Sequence, residues 1–150
     1  MIVEVFDDDR MNDHQMAVDL FDAISIPDSN KDFLTLYSDS LEGYVMSANH
    51  YVPYGVYEPN GEENFLDFHG IFKILDALED CSWFASAAGR KVALGHGTPE
   101  QRYMGEWGNG RLLRPLEVTD SPRAVHPQLQ YTWAWDNKVN PRRKKADGGE

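Results

Sequence analysis

The residues best equipped for chemistry are three consecutive carboxylates, Asp7, Asp8 and Asp9, and a histidine further along, His50. A carboxylate that accepts from one imidazole nitrogen fixes the tautomer and stabilises the imidazolium, leaving the other nitrogen as a general base. Bringing such a pair together requires two loops at one edge of a sheet. Parallel strands supply that edge, because their C-terminal ends open on the same side. The same carboxylate run has a second use. Asp7 and Asp9 at the end of a strand offer oxygen ligands of the kind a hard cation such as Mg²⁺ takes.

The elements that must position these groups follow from the apolar pattern. Residues 2–6, Ile-Val-Glu-Val-Phe, read as a short buried strand that stops at the aspartates, which cannot enter a core unpaired. A helix is predicted from Asn12 or Asp13, either able to cap it, with Met16, Leu20, Phe21 and Ile24 as its apolar stripe and Pro27 beyond its end. Phe33, Leu34, Leu36 and Tyr37 predict a second strand. Strand, helix, strand is the βαβ pattern of a parallel pair. Residues 39–63 hold Gly43, Pro53, Gly55, Pro59 and Gly61 and read as mostly loop, which places His50 in a loop. Asn64 is a candidate cap for a helix over 64–81 that buries Phe65, Phe68, Phe72, Leu75 and Leu78. Glycines punctuate 89–111, and only Leu112–Val118 resembles a further strand.

The remaining chemical residue types are scattered. His14, His50, His69, His96 and His126 include no pair at the i, i+4 spacing of a helical zinc site. His69 reads as a surface or packing residue and His96, between two glycines, as part of a turn. Cys81 is the only cysteine, so there is no intrachain disulfide and no cysteine-built zinc site; it reads as a small hydrophobe. Tyr131, Trp133 and Trp135 alternate as an edge strand does.

Composition bounds the function. The 150 residues are enough for one domain with a single core. The formal net charge is −11; the last fifteen residues carry +2, so the first 135 carry −13. Such a surface repels phosphate backbones, so nucleic acid is not an expected partner. The basic run Arg142 to Lys145, beside Pro141 and two glycines, reads as a disordered tail over 136–150. Apolar stretches are too short to span a bilayer, and the opening residues lack a secretory leader, so a cytoplasmic location is the default expectation.

The segment VEVFDDDRMNDHQMAVDLF, followed by KDFLTLYSDS and SANHYVPYG, resembles the C-terminal part of an α/β-hydrolase. Residues 62–118 look like the final helix and extension of some bacterial members, so the likeness spans about residues 2–118. The resemblance implies a partial α/β-hydrolase fold over residues 1–135, the C-terminal strands of a mostly parallel sheet with flanking helices. It implies ester or amide hydrolysis without a cofactor, with Asp9 as the triad acid (Asp8 as second choice) and His50 as the base. The family's nucleophile elbow, G-x-S-x-G, is absent, as is the oxyanion loop before it. A full enzyme of this kind needs on the order of 250 residues, and this chain begins inside what would be a central strand. It therefore reads as a C-terminal fragment, a split-gene half or a relic, acting on a small ester or amide with a missing N-terminal segment or companion chain. Failing that, Ser38, Ser40 and Ser47 are the serines nearest His50 in sequence.

Two other readings remain open. One is a non-catalytic interaction protein derived from a hydrolase. The other is a Mg²⁺-dependent phosphotransferase resembling the haloacid dehalogenase class through Asp7 and Asp9, although Arg10 and Met11 depart from that pattern and Lys73 lies inside a predicted helix.

Overall fold

The computed structural model describes residues 1–57 and 61–125. Strand β1 (Ile2–Phe6) and strand β2 (Asp32–Leu36) pair in parallel, Val3 opposite Phe33 and Val5 opposite Thr35. Helix α1 (His14–Ala23) connects them. Its cap is Asp13, whose carboxylate accepts the Gln15 amide. Its C-terminal carbonyls meet a cation, because the Lys31 ammonium donates to the carbonyls of Phe21 and Ile24.

Alternation along the strands divides the core into two layers. Val5 and Phe33 face α1 and pack on Val18 and Phe21, the two phenyl rings edge to face at 5.7 Å. Ile2, Phe6, Leu34 and Leu36 face the other way, toward Leu66, Ile74, Met104, Leu113 and Leu116. Each such buried side chain contributes about 1.5–3 kcal/mol. Every residue of β2 is buried, which marks it as the central strand.

The sheet is not the mostly parallel one that the hydrolase resemblance implies. Its order is β1-β2-β5, with β5 (Glu117–Thr119) antiparallel to β2. Between β2 and β5 the chain forms a separate antiparallel hairpin, β3 (Asp39–Leu41) and β4 (Tyr44–Met46), where the sequence predicts loop. A hairpin with a two-residue turn needs two left-handed residues, and Glu42 (φ 51°) and Gly43 (φ 90°) supply them. Only the β1–β2 pair runs parallel, so the partial α/β-hydrolase architecture is corrected to a small mixed sheet covered by helices on both faces.

The second long helix is where the sequence predicts it but turned to bury a different face. A π-helical segment (Leu66–Phe72) continues as α2 (Lys73–Phe84). Asn64 caps the segment, accepting from Leu66 N–H while Asp67 accepts from Asn64 N–H. The buried set is Leu66, Asp67, Gly70, Ile74 and Ala77. Most of the predicted stripe faces out, with Phe65, Phe68, Phe72 and Leu75 each 39–51% exposed; Leu78 alone of the five is partly buried, against Ala77 and Leu94. Gly70 explains the choice: a Cβ there would lie 2.9 Å from Leu36 Cδ1, so the glycine lets the helix sit directly on β2. In α1, likewise, Met16 and Leu20 are exposed while Val18 and Phe21 are buried.

Three short α-helices, α3 (Ala87–Ala93), α4 (Pro99–Arg102) and α5 (Pro122–Val125), and two 3-10 segments, Asp28–Asn30 and Val52–Tyr57, complete the elements of the described residues. His126, the Tyr131–Trp135 alternation and the 136–150 tail lie outside the described residues.

Candidate functional site

The three aspartates after β1 do three different jobs. Asp7 accepts from both the amide and the hydroxyl of Ser38, just past β2. The Ser38 hydroxyl in turn accepts the Ala48 amide. Asp8 accepts from the Ser47 hydroxyl and pairs with Arg10, while its own amide donates to the Ala48 carbonyl. These contacts fasten the loop that carries His50 to the end of the parallel pair. Asp9 is left for the histidine.

Asp9 Oδ2 lies 3.3 Å from His50 Nδ1. The carboxylate side chain is 3% exposed and the imidazole 25%, so the acid is buried and the ring reaches solvent. Asp9 Oδ1 accepts from the amides of Met11 and Asn12, and Oδ2 accepts from Asn12 Nδ2 at 2.8 Å. Burial pushes the Asp9 carboxyl up, but these amide donors together with His50 outweigh it and hold the group below its ordinary value. Asp9 is therefore ionised at neutral pH.

Asn12 was not singled out by sequence reasoning except as a helix cap, and it does not cap the helix. Its Nδ2 lies 3.1 Å from His50 Nδ1 as well as 2.8 Å from Asp9. The Asn12 amide nitrogen only donates and would call for a lone pair on Nδ1, but its shorter contact is to Asp9 Oδ2. The full charge of the ionised carboxylate, 3.3 Å from Nδ1, decides for a proton on that nitrogen. The Nε2 lone pair then points away from Asp9, available as a base. The signal for Asn12 in the sequence was its place three residues after Asp9, within reach of the carboxylate across one turn. Tyr51 and Tyr54 flank the ring at 5.7 and 6.0 Å between centroids.

The chain matches no family model, no curated protein and no solved structure. The chemistry of the site therefore rests on its geometry.

Asp8, the second choice for the acid, is taken by Ser47 and Arg10 and does not meet His50. Of the serines held in reserve as nucleophiles, Ser38 points to Asp7 and Ser47 to Asp8, while Ser40 lies exposed in β3. Asp7 and Asp9 are turned to separate partners rather than to a shared cation position. Among the described residues no three His, Cys, Asp or Glu side chains gather as a metal cage. None of the helices among them is long and apolar enough to cross a membrane.

An open groove of about 700 Å³ leads away from the pair along the unpaired edge of β1. Val5, Phe6, Met16 and Leu20 line it, with Asp9 and Asn12 also on its wall.

Proposed function

We propose that Asp9 and His50 form the acid and base of an acyl-transfer site acting on an ester or amide. His50 Nε2 would take the proton of an attacking hydroxyl as its oxygen bonds to the carbonyl carbon, and would return that proton to the leaving alkoxide or amine. Asp9 holds the ring in the required tautomer and offsets the imidazolium charge. The observation that carries this reading is the buried, ionised Asp9 carboxylate 3.3 Å from the Nδ1 of a partly buried His50. The acid–helix–strand–histidine order resembles that of α/β-hydrolases and supports the same reading, which does not depend on their sheet. The apolar wall of the adjoining groove suits an acyl chain. The nucleophilic hydroxyl is assigned to a second segment or chain, because Ser38 and Ser47 are committed to Asp7 and Asp8 and Ser40 sits out in the β3–β4 hairpin.

The test has two arms. In ¹⁵N-edited spectra His50 should carry its proton on Nδ1, and Asp9→Asn should shift that proton to Nε2. The chain alone should cleave p-nitrophenyl acetate no faster than its His50→Ala variant, and a serine-bearing companion should add turnover that requires both residues. A His50 protonated on Nε2 in the unaltered chain would defeat the proposal.

A second reading has one observation in its favour. The outward stripe of Phe65, Phe68, Phe72 and Leu75 is the kind of surface that a non-catalytic interaction protein presents. In that case a partner captured through the stripe would bind a His50→Ala chain unchanged and bring no hydrolysis with it.

A further inference from the structure

A second concavity, of about 410 Å³, is formed by α4 and the segment that follows it toward β5, and it shares no lining residue with the groove beside Asp9 and His50. Tyr103, Met104, Leu112, Leu113 and Pro115 give it an apolar wall. Arg102 is the only charged side chain on that wall among the described residues. Such a volume and lining are those of small-molecule sites, which are mostly apolar with a few placed polar groups. Tyr103 and Leu112 are 45% and 61% exposed, two large apolar side chains left in water beside one cavity.

The wall is held in place from behind. Gln101 is fully buried, and its side-chain amide donates to Asp32 Oδ2 and to the Ala93 carbonyl, both at 2.9 Å. The Lys73 ammonium of α2 gathers the carbonyls of Glu100, Gln101 and Tyr103. The Tyr103 ring sits edge to face against His69, the centroids 5.4 Å apart. Gly105, at φ 88°, makes room for that histidine, since a Cβ there would lie 3.0 Å from its ring. Arg102 is braced twice by the fully buried Leu116: its carbonyl accepts the Leu116 amide at 3.0 Å, and its Nε donates to the Leu116 carbonyl at 3.3 Å.

The brace uses Nε alone. Among the described residues no carboxylate pairs with the Arg102 guanidinium, whereas Arg10, Arg111 and Arg123 each close on an aspartate. In a chain of net charge −11, a guanidinium left without a carboxylate beside an apolar wall suits a ligand with one negative charge on an apolar body. A carboxylate matches the planar donors in shape and in charge. A phosphate monoester would bring further negative charge that no other cation of the wall offsets. We propose that this cavity binds a small monocarboxylate with an aromatic or aliphatic body, the carboxylate on Arg102 and the body against Tyr103, Met104 and Leu112. The site is separate from the Asp9–His50 pair and does not depend on the hydrolase reading.

The test compares phenylacetate with phenethyl alcohol, alike in body and different in charge, each titrated into the full chain carrying labelled methionine methyls. The phenyl ring should shift the Met104 methyl signal and leave that of Met16, on the wall of the other groove, in place. Phenylacetate should saturate at about 0.1–1 mM. It should bind about 10-fold more tightly than the alcohol, the scale of one charge-assisted hydrogen bond. Arg102→Gln should bring the acid down to the alcohol's affinity and leave the alcohol's own unchanged, and Leu112→Ser should weaken both probes alike. Should circular dichroism show that Arg102→Gln does not fold, salt decides on the parent: about 1 M NaCl should reduce the acid's advantage without weakening the alcohol. Equal affinities for the two probes in the parent, an acid preference that survives Arg102→Gln or that salt leaves intact, or shifts at Met16 rather than Met104 would each overturn the assignment. So would the absence of saturation by phenylacetate below about 10 mM.

Discussion

Replacing Glu4 by Gln should stabilise the protein at neutral pH, by an amount that grows as pH rises. Glu4 sits in the middle of β1 on the face shared with Ile2 and Phe6, and its Oε1 is buried without a hydrogen-bond partner. Burial pushes its carboxyl up from an ordinary 4.5 to about 8, against the pull of the Lys73 ammonium. The folded state therefore holds a proton that the unfolded chain releases between those two values. A folded-state value above the unfolded one means stability that is complete at low pH and lost as pH rises toward 8. At about 1.36 kcal/mol per unit, roughly 2–3 kcal/mol should disappear between pH 5 and pH 7. Lys73, lowered to about 8 by burial, stays charged through that window in both states and adds no slope there. His69, lowered by burial and by Lys73, contributes a slope of the opposite sign. The decisive quantity is thus the difference between the Glu4→Gln variant and the parent, measured by urea unfolding across the window. Gln keeps the shape and the acceptor oxygen but cannot ionise, so that difference should open from near zero to a few kcal/mol. Parallel pH profiles for the two proteins would show that Glu4 is solvated and the reasoning wrong.

Phe72→Ala should change stability by less than about 1 kcal/mol, whereas Ile74→Ala, two residues on and buried, should cost about 2–4 kcal/mol in the same melts. Equal effects would return the phenylalanine stripe to the core. Gly70→Ala should cost about 1–3 kcal/mol, because its methyl would meet Leu36 Cδ1 at 2.9 Å; combining it with Leu36→Ala should recover part of the loss. Asp39→Asn should loosen the β3–β4 hairpin, since the carboxylate takes the Arg111 guanidinium, the Arg114 amide and the Trp107 indole N–H. Burial raises the Asp39 carboxyl, but those donors outweigh it and hold it below its ordinary value. Stability from Asp39 is accordingly present above the ordinary carboxylate range and lost as pH falls through it, and acid titration of the parent against Asp39→Asn should show that window.

The strands that carry the site were legible because β-branched and apolar runs in a short segment leave few alternatives, and 2–6 and 33–37 lie within a residue of β1 and β2. The helix over 64–81 was legible in extent but not in orientation. Counting apolar side chains favours Phe65, Phe68, Phe72 and Leu75, yet packing favours the face with Gly70, which meets Leu36 of β2, and Ala77, which meets α3. The π-helical winding of Leu66–Phe72 also shifts the phase that a 3.6-residue period assumes. The β3–β4 hairpin was hidden because Glu42 is an unusual residue for a left-handed position, and α3 and α4 because the glycines of 89–111 read as breaks rather than as close contacts.

The site itself depends on less of the fold than the resemblance implied. Two parallel strands suffice to put the residues after β1 and after β2 at one edge, and the antiparallel β5 on the far side of β2 does not disturb that edge. The amide of Asp7 donates to the Leu36 carbonyl and that of Asp8 to the Ala48 carbonyl, so the two loops are joined backbone to backbone before any side chain contributes. Asp7 and Asp8 then take the loop serines, which leaves Asp9 as the one carboxylate of the three able to turn toward His50. Order along the chain could place Asp9 and His50 on the same edge; it could not choose among three adjacent aspartates, because that choice is made by Ser38 and Ser47. Nor could it reveal Asn12, whose side chain meets Asp9 and His50 only because Asp13, one residue later, relieves it of capping α1. The pair is thus a product of how the neighbouring polar groups are satisfied, and removing Ser38 or Ser47 would free a second carboxylate to compete for the histidine.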